Sequence, residues 1–448
     1  MTRRHGCALI GALSALILTL SAAIYVGAGL GDGKDSRSFA DSDAGTAQRN
    51  QAAPASTGTW VGAWAAAPVG GEPGTEEKGM AGHSVRNVVH TVTSGTSARV
   101  TLSNLYGQAP LTITSATVAT AAATDGAAAR SGTMRRLTFN GATSVVIPAG
   151  KAVVSDAVRI SIAYDSDVLI TTYSPTASGP VTYHPMARQT SYAAEGDHTQ
   201  DLSAASYTEE TAYWRYVTAL DVMSNDSDGT VVAFGDSLTD GRTATVGENH
   251  RWTDFLAERL RTAVASGQNL PRYTVVNEGI SGNRVLTNGL GRPAENASGL
   301  SRFERDVLGQ TNAKVVVIDL GVNDILHPTT GTEGDPTAIV AGLRKLVREA
   351  HAHGLKVIGA TLMPFGGHYE YSAERESVRE AINTEIRSGK VFDSVVDFDA
   401  ALRDPSDALR LRPSFDSGDH LHPNDAGFRA MAEAFSLKSL KGSAAAKL

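Results

Sequence analysis

Four short segments of the chain carry the residue types that catalysis needs. The first, Phe234-Gly-Asp-Ser-Leu-Thr-Asp-Gly241, runs from apolar residues into a glycine-flanked turn bearing Ser237. Such a turn exposes a small hydroxyl at a sheet's rim, and its glycines leave room for a ligand. Alone, Gly-Asp-Ser is an ordinary strand-to-helix turn. The second, Asn277-Glu-Gly-Ile-Ser-Gly-Asn283, offers backbone N–H groups unshielded by side chains, Gly282 among them. The third, Gly321-Val-Asn-Asp324, puts the amide donor of Asn323 after an apolar run, where an Asx turn is the plainer alternative. The fourth, Asp419-His-Leu-His-Pro423, lets one carboxylate accept from one imidazole across a short turn. A carboxylate so placed fixes the ring's tautomer and stabilises its cation. His420 and His422 also have a metal-ligand spacing, but a zinc site needs further ligands, and no other cluster of suitable context accompanies them.

These segments must be positioned by a sheet. Thr230-Val-Val-Ala-Phe234, Tyr273-Thr-Val-Val276, Lys314 to Leu320 and Leu355 to Leu362 are apolar runs of strand length. Helical spacing separates them: Trp252, Phe255, Leu256, Leu260 and Val264 on one face, then Ile339, Val340, Leu343, Leu346 and Ala350 on another. Asp335 caps the second helix, Pro336 starts it and Gly354 stops it. A last helix follows Pro423, with Phe428, Met431, Ala432 and Phe435 on one side. Continuous apolar strands alternating with amphipathic helices predict a parallel sheet covered on both faces. Reactive groups in such sheets sit at the carboxyl ends of the strands.

Together and in this order, the four segments resemble the signature blocks of the SGNH, or GDSL, hydrolase superfamily, letter by letter: Ser237, Gly282, Asn323 and His422. The resemblance covers about residues 229–440, and Arg251-Trp252 with Asp254 to Leu260 extends it to the helix after the first block. It implies a three-layer α/β, flavodoxin-like hydrolase domain and a serine ester hydrolase. Ser237 would then be the nucleophile, His422 its base and Asp419 the residue that orients His422. The backbone N–H groups of Ser237 and Gly282 and the side chain of Asn323 would form the oxyanion hole. The resemblance implies no metal and no cofactor. The rival Gly-x-Ser-x-Gly elbow does not occur.

Upstream, short β-branched or alternating segments are punctuated by Gly, Pro, Asn and Asp: Val89 to Val92, Ala98 to Leu102, Leu111 to Thr114, Ser144 to Ile147, Val158 to Ile162 and Val168 to Thr172. They predict an all-β sandwich or jelly roll, and the region resembles, more loosely, the N-terminal domain of exported actinobacterial members of the superfamily. The expected organisation is a leader or signal anchor over 1–31, a linker over 32–58, the β-sandwich over 59–226, the hydrolase over 227–441 and a tail over 442–448. Arg3 and Arg4 before an uncharged run from Gly6 to Gly31 describe the leader, long enough to span a bilayer if it is kept.

The 448-residue chain carries a net charge of −7 with acids and bases interspersed, so a nucleic-acid partner is not expected. Its single cysteine, Cys7, lies in the leader, which excludes a catalytic thiol and a Cys-based zinc site in the folded part. A monomer that touches membrane only through its N-terminus is expected. The expected substrate is a short-chain or acetyl ester of a carbohydrate, such as an acetylated polysaccharide. A lipase or phospholipase-type acylhydrolase is the alternative, and a non-catalytic carbohydrate-binding protein a third reading. Trp60, Trp64, Tyr106, Tyr183, Tyr192, Trp214 and Tyr216 could stack on sugars, with core packing the plainer account. Segments 331–335 and 365–371 are candidate rim loops.

Overall fold

The computed structural model describes residues 58–124, 126–289, 296–328 and 334–442. The expected leader, Cys7, nearly all of the linker, all but the first residue of the tail, and residues 331–333 of the first rim loop lie outside the described residues.

The apolar runs form a five-stranded parallel sheet. Its order is Tyr273–Gly279, Gly229–Gly235, Ala313–Asp319, Lys356–Ala360 and Ser394–Val396. This is the 2-1-3-4-5 doubly wound order, whose switch point falls between the first and third strands in chain order. Alternate residues of each run are buried on opposite faces. Val232, Phe234, Val316 and Ile318 pack with Ile339, Val340, Leu343 and Leu346 of the Pro336–Ala352 helix. Val231, Ala233, Val315 and Val317 pack with Trp252, Phe255, Leu256 and Leu260 of Trp252–Ala265 and with Phe428 and Met431 of Asp425–Ala434. Asp335 caps the Pro336 helix by accepting from Thr337 N, and Gly354 follows its end at φ +75°. The edge strand Tyr273–Gly279 and the two strands next to it in the sheet end level, with Gly235 opposite both Gly279 and Asp319. The turns after these strands therefore meet at one rim.

Every regular element from Thr59 to Ser224 among the described residues is a strand, and neighbouring strands run antiparallel. One five-stranded sheet is built on Gly95–Ser103 and Val217–Ser224, and one six-stranded sheet on His83–Thr91 and Ser166–Ser174. Val100, Leu102, Leu220 and Val222 of the first face Val85, Val89, Val168 and Ile170 of the second across one apolar core. Trp64, Trp214 and Tyr216 belong to that core, as the plainer account held, whereas Trp60, Tyr106 and Tyr192 are half-buried.

The sandwich is packed directly onto the hydrolase sheet, and the described residues belong to one compact unit. The Gly62 N–H donates to Thr230 Oγ1 at 3.1 Å. A Cβ at Gly62 would lie 3.0 Å from Val276 Cγ1, so the absence of a side chain permits this approach. Among the described residues no helix is long and apolar enough to cross a membrane.

Candidate active site

Gly235 closes the central strand, and Asp236 then caps the short Ser237–Asp240 helix by accepting from Leu238 N at 3.0 Å. The turn is tight: a Cβ on Gly235 would fall 2.2 Å from Thr239 Oγ1. It projects Ser237 into a cavity of about 900 Å³, where the hydroxyl Oγ lies 2.9 Å from His422 Nε2. His422 Nδ1 lies 2.6 Å from Asp419 Oδ2. Asp419 Oδ1 accepts from the backbone N–H of His422 at 2.8 Å and of Leu421 at 3.0 Å. Partial burial pushes the Asp419 carboxyl up, but the His422 ring and these N–H groups outweigh it and hold the group well below the ordinary carboxylate range. A carboxylate that stays ionised can hold a hydrogen-bonded imidazole in one tautomer.

The same cavity is lined by Gly282 and Asn323. Gly282 has φ +79°, and a Cβ there would meet no atom within 4 Å, so its backbone borders open space. Asn323 stands in the short Val322–Leu326 helix after the third strand and donates Nδ2 to Asp236 Oδ2 at 3.2 Å. All five residues singled out in the sequence thus line one cavity. His420 does not join them: its Nδ1 lies 2.6 Å from Asp416 Oδ2. The His-x-His pair is divided between two carboxylates, and among the described residues no group of three or more His, Cys, Asp or Glu side chains is placed to hold a metal ion.

Three carboxyl groups are buried beneath the rim. Burial and the neighbouring Asp319 push Asp236 well above its ordinary range, against the opposing Leu238 N–H. Burial lifts Asp319 to about 6 against a hydrogen bond from Thr239 Oγ1. It lifts Asp324 to about 6 against the N–H groups of Val285 and Leu286. Asp324 thereby ties the third segment to the chain just beyond Gly282.

Other residues were not legible as site residues. Arg302, fully buried, donates to Gly235 O at 2.9 Å, Glu278 O at 2.7 Å and Asn283 Oδ1 at 3.0 Å, so it holds the first two strand ends together. Gly279 is needed where the second strand meets the first turn, because a Cβ there would lie 2.3 Å from Asp240 N. Asn296, in a sequon, is buried, lines the cavity and accepts from Asn283 Nδ2 at 2.7 Å. Further parts of the wall come from Val69, Pro73, Tyr183, Pro185 and Met186 of the β-rich region, from His368, Tyr369 and Glu370 of the second rim loop, and from Arg242, Arg284 and His327. Of the upstream aromatics, Tyr183 alone is among the residues lining this cavity.

Residues 233–430 match the family model of the GDSL-like lipase/acylhydrolase family. This segment is a GDSL-like lipase/acylhydrolase domain. The match assigns a domain of the ester-hydrolase type to these residues, on the fold that the four segments led one to expect. No match was found among the curated proteins. Similar solved structures include a catalytic mutant of an acetylxylan esterase from Geobacillus stearothermophilus, at 24% identity over 48% of this chain and 94% of that one, with a TM-score of 0.35. Others are a carbohydrate acetylesterase from Sinorhizobium meliloti (20% identity, 46% of this chain and 96% of that one, TM-score 0.34) and a GDSL-like lipase from Bacteroides thetaiotaomicron (19%, 46% and 84%, TM-score 0.32).

Proposed function

We propose that the protein is an exported serine esterase that removes short acyl groups, acetyl above all, from carbohydrates through an acyl-enzyme. The observation that carries the reading is the chain of contacts from Ser237 Oγ to His422 Nε2 at 2.9 Å and from His422 Nδ1 to Asp419 at 2.6 Å. In this reading the Ser237 Oγ attacks the ester carbonyl while His422 Nε2 takes its proton. The backbone N–H groups of Ser237 and Gly282 and the Asn323 amide receive the oxyanion. Collapse of the tetrahedral intermediate breaks the C–O bond to the alcohol, and His422 returns its proton to that oxygen. Water then attacks the acyl-Ser237 with His422 again as base, releasing the acid and restoring the hydroxyl. Asp419 remains ionised throughout.

Export is supported by Arg3, Arg4 and the uncharged run that follows them. Carbohydrate as the alcohol is supported by the rim: Tyr369 is 84% exposed beside the cavity, its ring 4.4 Å from that of His368, with Tyr183 also in the wall. A cavity of about 900 Å³ exceeds what an acetyl group alone requires and leaves room for a bulky alcohol. Hydrolysis of p-nitrophenyl esters of graded chain length, set beside an acetylated xylo-oligosaccharide, tests this. Preference for acetate and release of acetic acid from the oligosaccharide support it. A preference for long acyl chains would replace it with a lipase, and no hydrolysis of any ester would leave only binding.

A further inference from the structure

His184 lies in the β-rich region, well before the segment that matches the family, and ends the short strand Thr182–His184. Its side chain is buried, with its ring 5.5 Å from that of Trp214. Nδ1 lies 2.8 Å from Ala67 O, and Nε2 lies 3.0 Å from Asp240 Oδ1. Asp240, also buried, closes the turn that begins at Ser237. Its second oxygen, Oδ2, accepts from Ser281 N at 2.9 Å and from Ser281 Oγ at 2.7 Å. Ser281 immediately precedes Gly282. One carboxylate therefore has His184 on one oxygen and the glycine loop on the other.

A second bond network runs in parallel. Arg251 donates Nε to Asp240 O at 2.8 Å, and Nη2 to Ala187 O at 2.7 Å and Met186 O at 3.2 Å. The neighbours of His184 in sequence, Tyr183, Pro185 and Met186, line the catalytic cavity. The stretch 183–187 thus contributes wall, prop and anchor to one site. A buried carboxylate deprived of a partner is costly and seeks another geometry, and a loop holding an oxyanion donor must be placed to a fraction of an ångström.

We infer that His184 is a positioning residue for the reaction: through Asp240 and Ser281 it sets the Gly282 N–H, so the β-rich region completes the active site. The inference rests on the reading of Gly282 as an oxyanion donor. It is tested in the full chain with His184→Asn, His184→Gln and Asn323→Ala, each followed by thermal melting and by kcat and KM on p-nitrophenyl acetate. The Gln amide nitrogen can reach the place of Nε2 and keep the bond to Asp240; the Asn amide is too short and keeps only the Nδ1 side. His184→Asn is expected to lower kcat roughly 10- to 100-fold, with KM changed by less than about threefold, because donor placement and not binding is lost. His184→Gln is expected to recover most of that loss. Equal kcat in the Asn variant and the wild type, or equal impairment of Asn and Gln, would overturn the proposal. Should His184→Asn fail to fold, Ser281→Ala takes its place: it removes the Oγ bond to Asp240 and is expected to lower kcat several-fold, and an unaltered kcat would overturn the proposal. Asn323→Ala separates the two levels. If it too leaves kcat unchanged, the oxyanion reading itself fails; if it lowers kcat while His184→Asn does not, only the role of His184 fails.

Discussion

Asn323 and Asp236 come from different strand ends and meet across 3.2 Å, the amide of one donating to the carboxyl of the other. The donor proposed for the oxyanion is thereby fixed by the residue that precedes Ser237. An amide already oriented pays no reorganisation as charge develops. Asn323→Ala is therefore expected to lower kcat by about 10²–10³ while KM moves little. Steady-state kinetics on p-nitrophenyl acetate check this, and an effect confined to KM would contradict the oxyanion role.

The buried carboxyls make stability depend on pH in a particular direction. Asp319 and Asp324 are lifted by burial from an ordinary value of 3.8 to about 6. The folded state thus holds their protons more tightly than the unfolded chain does. Their contribution is full below pH 3.8 and is lost as pH rises through 6, at a cost on the order of 1–3 kcal/mol each. Asp319→Asn keeps an oxygen to accept from Thr239 and removes the titration. Its Tm is expected to exceed the wild type at pH 7, with the gap closing toward pH 4. A gap that is absent at pH 7, or that widens on acidification, would contradict this.

Tyr369 tests the alcohol side of the substrate. Its ring is exposed on the rim beside His368, where the proposed sugar would stack. Tyr369→Ala is expected to raise KM for an acetylated xylo-oligosaccharide by about 2- to 12-fold, given about 0.5–1.5 kcal/mol for an aromatic contact. The change in KM for p-nitrophenyl acetate should be much smaller. Equal effects on both substrates would remove the stacking role.

The sequence carried the parallel sheet well because its strands are buried on both faces and read as unbroken apolar runs. Four of its five strands and the helices at 252–265, 336–352 and 425–434 were legible for that reason. The helix Ala373–Arg387 was not, because its buried face holds Glu376, Arg379 and Asn383 beside only two isoleucines. The fifth strand, Ser394–Val396, is too short to show a pattern. In the sandwich, Ser115–Thr120 was missed because small residues buried on both sides leave no alternation. Ser237, Gly282, Asn323, Asp419 and His422 were legible because each stands in a short fixed block. His184 and Arg302 are tied to the site by contacts between distant parts of the chain, and Asn296 by contacts to Ser281, Asn283 and Gly289 within its own loop, and no regular spacing encodes either. Asp240 stood inside the first block, but its partners, His184 and Ser281, did not.

The reading of Ser237 as nucleophile is tested most directly by Ser237→Ala in the full chain, with kcat measured on p-nitrophenyl acetate and thermal melting as a check on folding. Among the described residues the hydroxyl's side-chain partner is His422 Nε2, so its loss should leave the fold intact. The expected result is a native melting transition with kcat reduced by roughly 10⁴-fold or more. A folded Ser237→Ala protein that hydrolyses the ester at near the wild-type rate would contradict it.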